Sequence, residues 1–366
     1  MKIIVSAGGT YGHIYPALSL VSALKKDTGA YIIFVSPNTE LSGLLSAKNI
    51  SKYFIESPKI KTGNIFAFMK SLWRLLKALR QSFSILLKEK PDIVIGFGGY
   101  AAFPVVLAAS LMRIKTAIHE QNVVMGKANR FLAYFVSNVF LSFKETLKFL
   151  PTFIVKFKKT QVVGNPIRED LILIDKNEAL DSLGLDKNKF TILVMGGTSG
   201  SQVINKKIMQ IAAEINERNF QIIHIAGAKD FEAVENFYAA AKIKNKIFAF
   251  SDQMSHVLSA ADLMISRAGA SVIWEISYFR IPSILIPYPY AGAHQLENAR
   301  ILSLRGAALI VEEKKMTCEI LKEHIVDFME HPSKLNDMRN KFDKIDYNSA
   351  QIMAEKLVHL NYSLRK

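Results

Sequence analysis

Short apolar, β-branched runs end in glycine-rich turns and lead into helical patterns, and this alternation occurs twice along the 366 residues. In the first half the strand candidates are Ile3–Ser6, Tyr31–Val35, Ile93–Ile95, Thr116–Ile118 and Val139–Ser142. In the second they are Thr191–Met195, Ile222–Ile225, Ile247–Phe250, Leu263–Ser266 and Ser283–Pro287. Near-continuous Val, Ile and Leu with helices between them describe strands buried on both faces, the condition of parallel sheets. The expected fold class is therefore α/β, with two Rossmann-like parallel-sheet domains facing across a cleft. An apolar strand ends in Gly164–Asn165–Pro166, a turn that a helix cannot cross. That turn divides the chain into a first domain, 1–163, and a second, 164–345. In the remaining segment, 346–366, Ala350–Leu364 reads as an amphipathic helix placed to pack back on the first domain.

Composition narrows the function classes. Half of the residues are apolar, a globular and not a disordered balance. The single cysteine, Cys318, has no partner for an internal disulfide and fits a reducing compartment. The opening MKIIVSAGGTYGH is too short for a signal-peptide core. Residues 93–112 carry no charge over a membrane-spanning length, but Gly96, Gly98, Gly99 and Pro104 interrupt them. They read as strand, glycine turn and helix start, buried in protein. The formal charge of +15 calls for an acidic partner: nucleic acid, anionic lipid or a phosphorylated substrate. No helix-turn-helix, RNP-type strand or zinc pattern supports nucleic acid, which is not expected as a partner.

In open parallel sheets ligands bind beyond the carboxyl ends of the strands, so the segments just after the strands carry the information. GGTYGH (Gly8–His13) joins the first strand to a helix, and its glycines and helix start suit an anion. It is not the G-x-G-x-x-G dinucleotide fingerprint. GFGGYAAFP follows the next glycine-ended strand, and HEQN (His119–Asn122) is either a solvated loop or a site, because such a run is costly to bury without partners. GGTSGSQVIN (Gly196–Asn205) and SRAGASVIWE (Ser266–Glu275) repeat the strand–glycine–helix arrangement in the second half, followed by PYPYAGAHQLENA. Glu275 can accept two hydrogen bonds from a ribose diol, or it is a helix-surface carboxylate. Two anion loops and a carboxylate in one domain favour a nucleotide diphosphate.

In order along the chain, GGTYGH, GFGGYAAFP, HEQN, GNPIR, GGTSGSQVIN, SRAGAS…E and HQLENA resemble the MurG family of GT-B-fold transferases over roughly residues 1–310. The resemblance implies inverting transfer of N-acetylglucosamine from UDP-N-acetylglucosamine to the C4 hydroxyl of undecaprenyl-linked N-acetylmuramyl-pentapeptide, converting lipid I to lipid II in peptidoglycan synthesis. It implies a peripheral protein on the cytoplasmic face of a bacterial inner membrane, with the lipid acceptor, an anionic membrane surface and other cell-wall synthesis proteins as partners. Thr10, Tyr11, Gly12 and Asn122 match sugar-nucleotide contacts of the first domain. Arg168, Thr198, Ser199, Ser251, Ala270, Ser271, Glu275 and Gln295 match the rest. The chain departs from the family at Tyr11, where glycine is usual, and at Ala293, where an acidic residue is usual. A tyrosine in the first glycine loop would narrow the approach of a ligand and resist positive φ. Kindred alternatives are a diacylglycerol sugar transferase of the same fold and a catalytically silent nucleotide-sugar sensor.

Inverting transfer needs a base for the acceptor hydroxyl and stabilisation for the departing UDP. The chain has no D-x-D pair, so no metal and no cofactor are expected, and the leaving charge falls to helix N-termini, the Thr198–Ser199 loop and Arg168. His13 is the first candidate base, with His119 and Glu120 as alternates; His13 can equally cap its helix or hold the acceptor diphosphate. Residues 59–90 interleave Lys70, Arg74, Lys77 and Arg80 with Leu72, Trp73, Leu76 and Leu79. Such a basic amphipathic helix suits an anionic headgroup region, and equally suits a domain helix with a core face and a solvated basic face.

Overall fold

A computed structural model describes residues 1–57, 64–156, 160–197, 200–290, 294–342 and 348–362. The chain divides into two compact units, Met1–Arg168 with Asp346–Lys366, and Glu169–Ile345. Each is built on one wholly parallel sheet among the described residues.

The first sheet contains β1 (Lys2–Ser6), β2 (Tyr31–Ser36), β3 (Ser51–Phe54), β4 (Ile93–Gly96), β5 (Lys115–Glu120), β6 (Asn138–Leu141) and β7 (Thr160–Val162). Their order across the sheet is β3-β2-β1-β4-β5-β6-β7. The second contains β8 (Phe190–Met195), β9 (Phe220–Ile225), β10 (Asn245–Phe248), β11 (Leu263–Ser266), β12 (Ser283–Leu285) and β13 (Ala308–Ile310), in the order β10-β9-β8-β11-β12-β13. In each sheet the chain reverses its direction of travel beside the first strand, between β1 and β4 and between β8 and β11. Open α/β sheets leave a ligand crevice at that reversal. The register brings the ends together, Ser6 opposite Gly96 and Met195 opposite Ser266, so the glycine loops leave each sheet side by side.

Burial on both faces explains the apolar runs. Ile3 and Val5 point into the core beneath the Tyr11–Thr28 helix, while Ile4 joins the core on the opposite face with Val94, Val105 and Val106. The Ser349–Tyr362 helix completes the first of these cores, with Met353, Ala354 and Leu357 buried against it. The uncharged stretch 93–112 is β4, a glycine turn and the Gly99–Leu111 helix, which buries Ala101, Ala102, Val105 and Val106. No described helix is long and apolar enough to cross a membrane.

Three differences from the sequence reading have physical causes. The strand expected at Ile247–Phe250 lies two residues earlier, at Asn245–Phe248, because Asn245 opens the pairing with Ile222. Strands β3 and β13 escaped notice because they are short edges, one with Lys52 inside it. The Gly164–Arg168 turn belongs to the first unit, not the second. Ser19 Oγ donates to the Ile167 carbonyl at 2.7 Å, and the Arg168 guanidinium lies 4.4 Å above the Tyr15 ring, both on the Tyr11–Thr28 helix.

The Ile65–Glu89 helix starts at Asn64, whose side chain accepts from the Ala67 amide, and its inward residues are unusual. Ser71, Ala78 and Ser82 are buried with Leu86, whereas Phe66 is 84% exposed, Trp73 63% and Leu76 57%. Leu72 and the basic Lys70, Arg74, Lys77 and Arg80 are also exposed. Leu79 departs from the sequence reading: it is half-buried and packs on the core. Toward its start the helix turns small residues inward and bulky apolar ones outward, while Leu79, Phe83, Ile85 and Leu86 of its second half pack on the core in the ordinary way.

Candidate functional site

In the first unit the glycine loops after β1 and β4 meet the HEQN segment that ends β5. Thr10 precedes the Tyr11–Thr28 helix as its N-cap in extended backbone, but its hydroxyl does not cap. It is exposed at the helix start, where the positive end of the helix dipole favours an anion. Tyr11 and Gly12 form the first turn of that helix. The backbone conflict anticipated at Tyr11 does not arise, since Tyr11 is helical and needs no positive φ; its ring stacks on Tyr15 at 5.4 Å. The left-handed turn falls on Gly9 instead, at φ 88°.

His13, half-buried, places Nδ1 3.0 Å from Oε1 of Gln121. Its Nε2 faces Gly99, where φ is 70° and a Cβ would come within 3.4 Å of that nitrogen. Glycine here keeps the ring edge open. Gln121 is buried, with Nε2 3.1 Å from the Phe97 carbonyl and 3.0 Å from His119 Nδ1. His119 is wholly buried and donates from Nε2 to the Gly164 carbonyl at 3.0 Å. Burial holds its pKa down to about 4, against the opposing bond to Gly164 and with help from the nearby His13 charge. Glu120, 2% exposed, accepts from the Asn122 amide (3.0 Å), the Asn122 side chain (3.2 Å), the Gly126 amide (3.1 Å) and Asn129 Nδ2 (2.9 Å). His119 and Glu120 are buried and bonded inside the fold, whereas His13 is half-buried with its Nε2 edge toward Gly99.

In the second unit the loops after β8 and β11 are tied by Arg267. Its Nη2 donates to Ser201 Oγ at 2.9 Å and its Nη1 to the Ile286 carbonyl at 3.2 Å, while Glu313 forms an ion pair with Nη1 at 2.5 Å. Gly200 lies at φ 72° against the Ala226 carbonyl, where a Cβ would collide. Thr198 and Ser199 fall outside the described residues, as does Ala293. Gly269 precedes the Ala270–Phe279 helix without any side-chain cap, leaving the amides of its first turn, around Ala270 and Ser271, at the loop. Glu275 stands on the same helix, half-buried. Gln295 Oε1 accepts from the amides of Ala268 (3.2 Å) and Tyr288 (3.0 Å), which leaves its NH2 group as a donor. Ser251 is buried, and its hydroxyl accepts from the Gln253 amide. Arg168 belongs to the first unit, beside Tyr15.

Sequence reasoning overlooked Gln121, Ser201 and Arg267 as individual residues. Each lay inside a motif already singled out, and their polar character in apolar surroundings was the available signal. No group of His, Cys, Asp or Glu among the described residues could hold a metal ion.

Two open parallel sheets with glycine loops at both reversal points make up the GT-B fold. The model of the glycosyltransferase family 28 N-terminal domain matches residues 3–141, and that of the family 28 C-terminal domain matches residues 191–354. The UDP-N-acetylglucosamine–N-acetylmuramyl-(pentapeptide) pyrophosphoryl-undecaprenol N-acetylglucosamine transferase of Caldanaerobacter subterraneus is 36% identical, covering 98% of this chain and 99% of its own. The transferase of the same name from Halalkalibacterium halodurans is also 36% identical, over 98% of each chain. The crystal structure of Acinetobacter baumannii MurG superposes with a TM-score of 0.76 at 27% identity, covering 98% of this chain and 99% of that one. The chain belongs to the MurG family of N-acetylglucosamine transferases.

Proposed function

We propose that this protein transfers N-acetylglucosamine from UDP-N-acetylglucosamine to the C4 hydroxyl of undecaprenyl-diphospho-N-acetylmuramoyl-pentapeptide, making lipid II from lipid I with inversion. The observation that carries the reading is identity over essentially the whole chain with transferases named for that reaction. His13 of the first unit takes the C4 proton on Nε2 as O4 bonds to C1 of the donor sugar. The C1–O bond to UDP breaks, and its electron pair leaves on the β-phosphate. The second unit holds the nucleotide: Glu275 accepts from the ribose hydroxyls, Gln295 donates from its NH2, and the uncapped helix start at Ala270–Ser271 meets the diphosphate. By their motif match alone, Thr198, Ser199 and Arg168 are assigned to the remaining leaving-group charge.

The protein works at the cytoplasmic face of the inner membrane, docked by the Ile65–Glu89 helix. Exposed Trp73, Leu72 and Leu76 among exposed Lys70, Arg74, Lys77 and Arg80 support this reading. Incubation with UDP-N-acetylglucosamine and lipid I, followed by mass spectrometry, tests the activity. The expected product carries one added N-acetylhexosamine; its absence, or transfer to diacylglycerol instead, overturns the proposal.

A further inference from the structure

We propose that Gln121 is a positioning residue that fixes His13 in the tautomer with its proton on Nδ1, so that Nε2 presents a lone pair to the acceptor hydroxyl. The inference rests on reading His13 as the base. It follows from a chain of groups in which each link has one permitted direction. The chain begins at the Gly164 carbonyl, which can only accept, so the His119 Nε2 facing it at 3.0 Å carries the proton, and the Ser142 hydroxyl, 3.3 Å from the same nitrogen and free to rotate, turns a lone pair toward it. A neutral His119 then has its lone pair on Nδ1, which needs a donor. Gln121 Nε2 supplies that donor at 3.0 Å and gives its second hydrogen to the Phe97 carbonyl at 3.1 Å.

Neither neighbour allows the amide to turn over. A reversed Gln121 would set its oxygen against the Phe97 carbonyl and against the His119 lone pair, two acceptors facing a third inside the core. With the NH2 group fixed inward, Oε1 faces outward, and the His13 Nδ1 at 3.0 Å must be its donor. Which imidazole nitrogen is protonated is set by the bond the other nitrogen makes. Solvated imidazole favours the proton on the nitrogen remote from the chain, the opposite of what a base acting through Nε2 requires. Gln121 reverses that preference, and Gly99, by having no Cβ, keeps the Nε2 edge open. His119 orients the amide without touching substrate, a role that explains a buried neutral histidine beside a catalytic loop.

The test is long-range proton–nitrogen correlation NMR on the full chain labelled with nitrogen-15 histidine, at a pH where His13 is neutral. A His13→Gln spectrum assigns the His13 signals among the eight histidines. The wild type is expected to show protonated Nδ1 and unprotonated Nε2 at His13; the reverse pattern overturns the proposal without any appeal to activity. Gln121→Leu should move His13 to the Nε2-protonated form and lower kcat by about tenfold or more, on the scale of an impaired general base. KM for UDP-N-acetylglucosamine should be little changed. Gln121→Glu keeps an acceptor opposite Nδ1 and should restore the Nδ1-protonated pattern, which a purely structural glutamine would not do. An unchanged tautomer in Gln121→Leu, with the melting transition of its first unit intact as a check of folding, also overturns the proposal. His13→Ala separates the two readings: full turnover there removes the base assignment, while the tautomer experiment judges Gln121 alone.

Discussion

Glu120 offers a sharp separation between holding the fold and performing chemistry. Its two oxygens accept from two backbone amides, Asn122 and Gly126, and from the side chains of Asn122 and Asn129, at 2.9–3.2 Å. Replacing it with glutamine keeps one oxygen and its pair of bonds. The other oxygen becomes an NH2 group facing two donors in a site 2% exposed. Each orphaned donor costs about 1–2 kcal/mol, so Glu120→Gln should destabilise the first unit by about 2–4 kcal/mol. For a unit of this size, at roughly 2–4 °C per kcal/mol, melting should fall by about 4–16 °C. Differential scanning calorimetry with added UDP reads the first unit, since a ligand held by the second unit is expected to raise that unit's transition alone. Below its lowered melting temperature the variant should still turn over substrate. If it melts with the wild type but loses turnover by about 10²-fold or more, Glu120 is the base and the structural reasoning fails.

Glu275→Ala should weaken UDP binding by about 1–3 kcal/mol, the scale of lost charge-assisted hydrogen bonds, and wild-type affinity by titration calorimetry would remove Glu275 from the ribose site. Reversing Lys70, Arg74, Lys77 and Arg80 to glutamate should abolish flotation with anionic liposomes, each cation contributing about 1 kcal/mol, while UDP affinity persists; a variant that floats normally places the docking surface elsewhere. His119 and His224 are held down by burial to about 4 and about 3, against an ordinary 6.5, with bonding to Gly164 and the charge of Asp230 opposing. The unfolded chain then binds more protons, so stability is full above pH 6.5 and declines as pH falls toward those values. An NMR titration showing either histidine protonated in the folded protein near pH 6.5 would contradict this.

Much of the architecture is written in the strands that lie at the centre of each sheet. Ile3–Ser6 and Leu263–Ser266 are buried on both faces, and only continuous apolar sequence can satisfy that. Edges obey no such demand: the half-buried Ser-Lys-Tyr-Phe of β3 looks like a loop until its partner is known. The glycine loops were equally legible, because close approach and left-handed turns restrict residue choice. The backbone demand at Tyr11 was not legible, since it depends on where the helix begins, a matter of one residue. His13 stood ahead of His119 and Glu120 by its place in the first glycine loop, but the contacts of the three were not legible in the chain. Their difference lies in contacts with Gln121, Gly164 and Asn129, and burial that sequence spacing does not encode.

The Ser349–Tyr362 helix has a consequence for how the protein is made. Met353, Ala354 and Leu357 fill the core that the Tyr11–Thr28 helix begins, yet they leave the ribosome after the entire second unit. At about 5–20 residues per second, the newborn first sheet waits roughly ten to forty seconds for its last packing element. Through that interval an apolar stripe along the Tyr11–Thr28 helix stays uncovered, inviting chaperones or neighbouring nascent chains. The second unit has no such debt to later sequence and can settle as soon as it emerges. Maturation therefore runs out of order: the segment translated first is the one finished last.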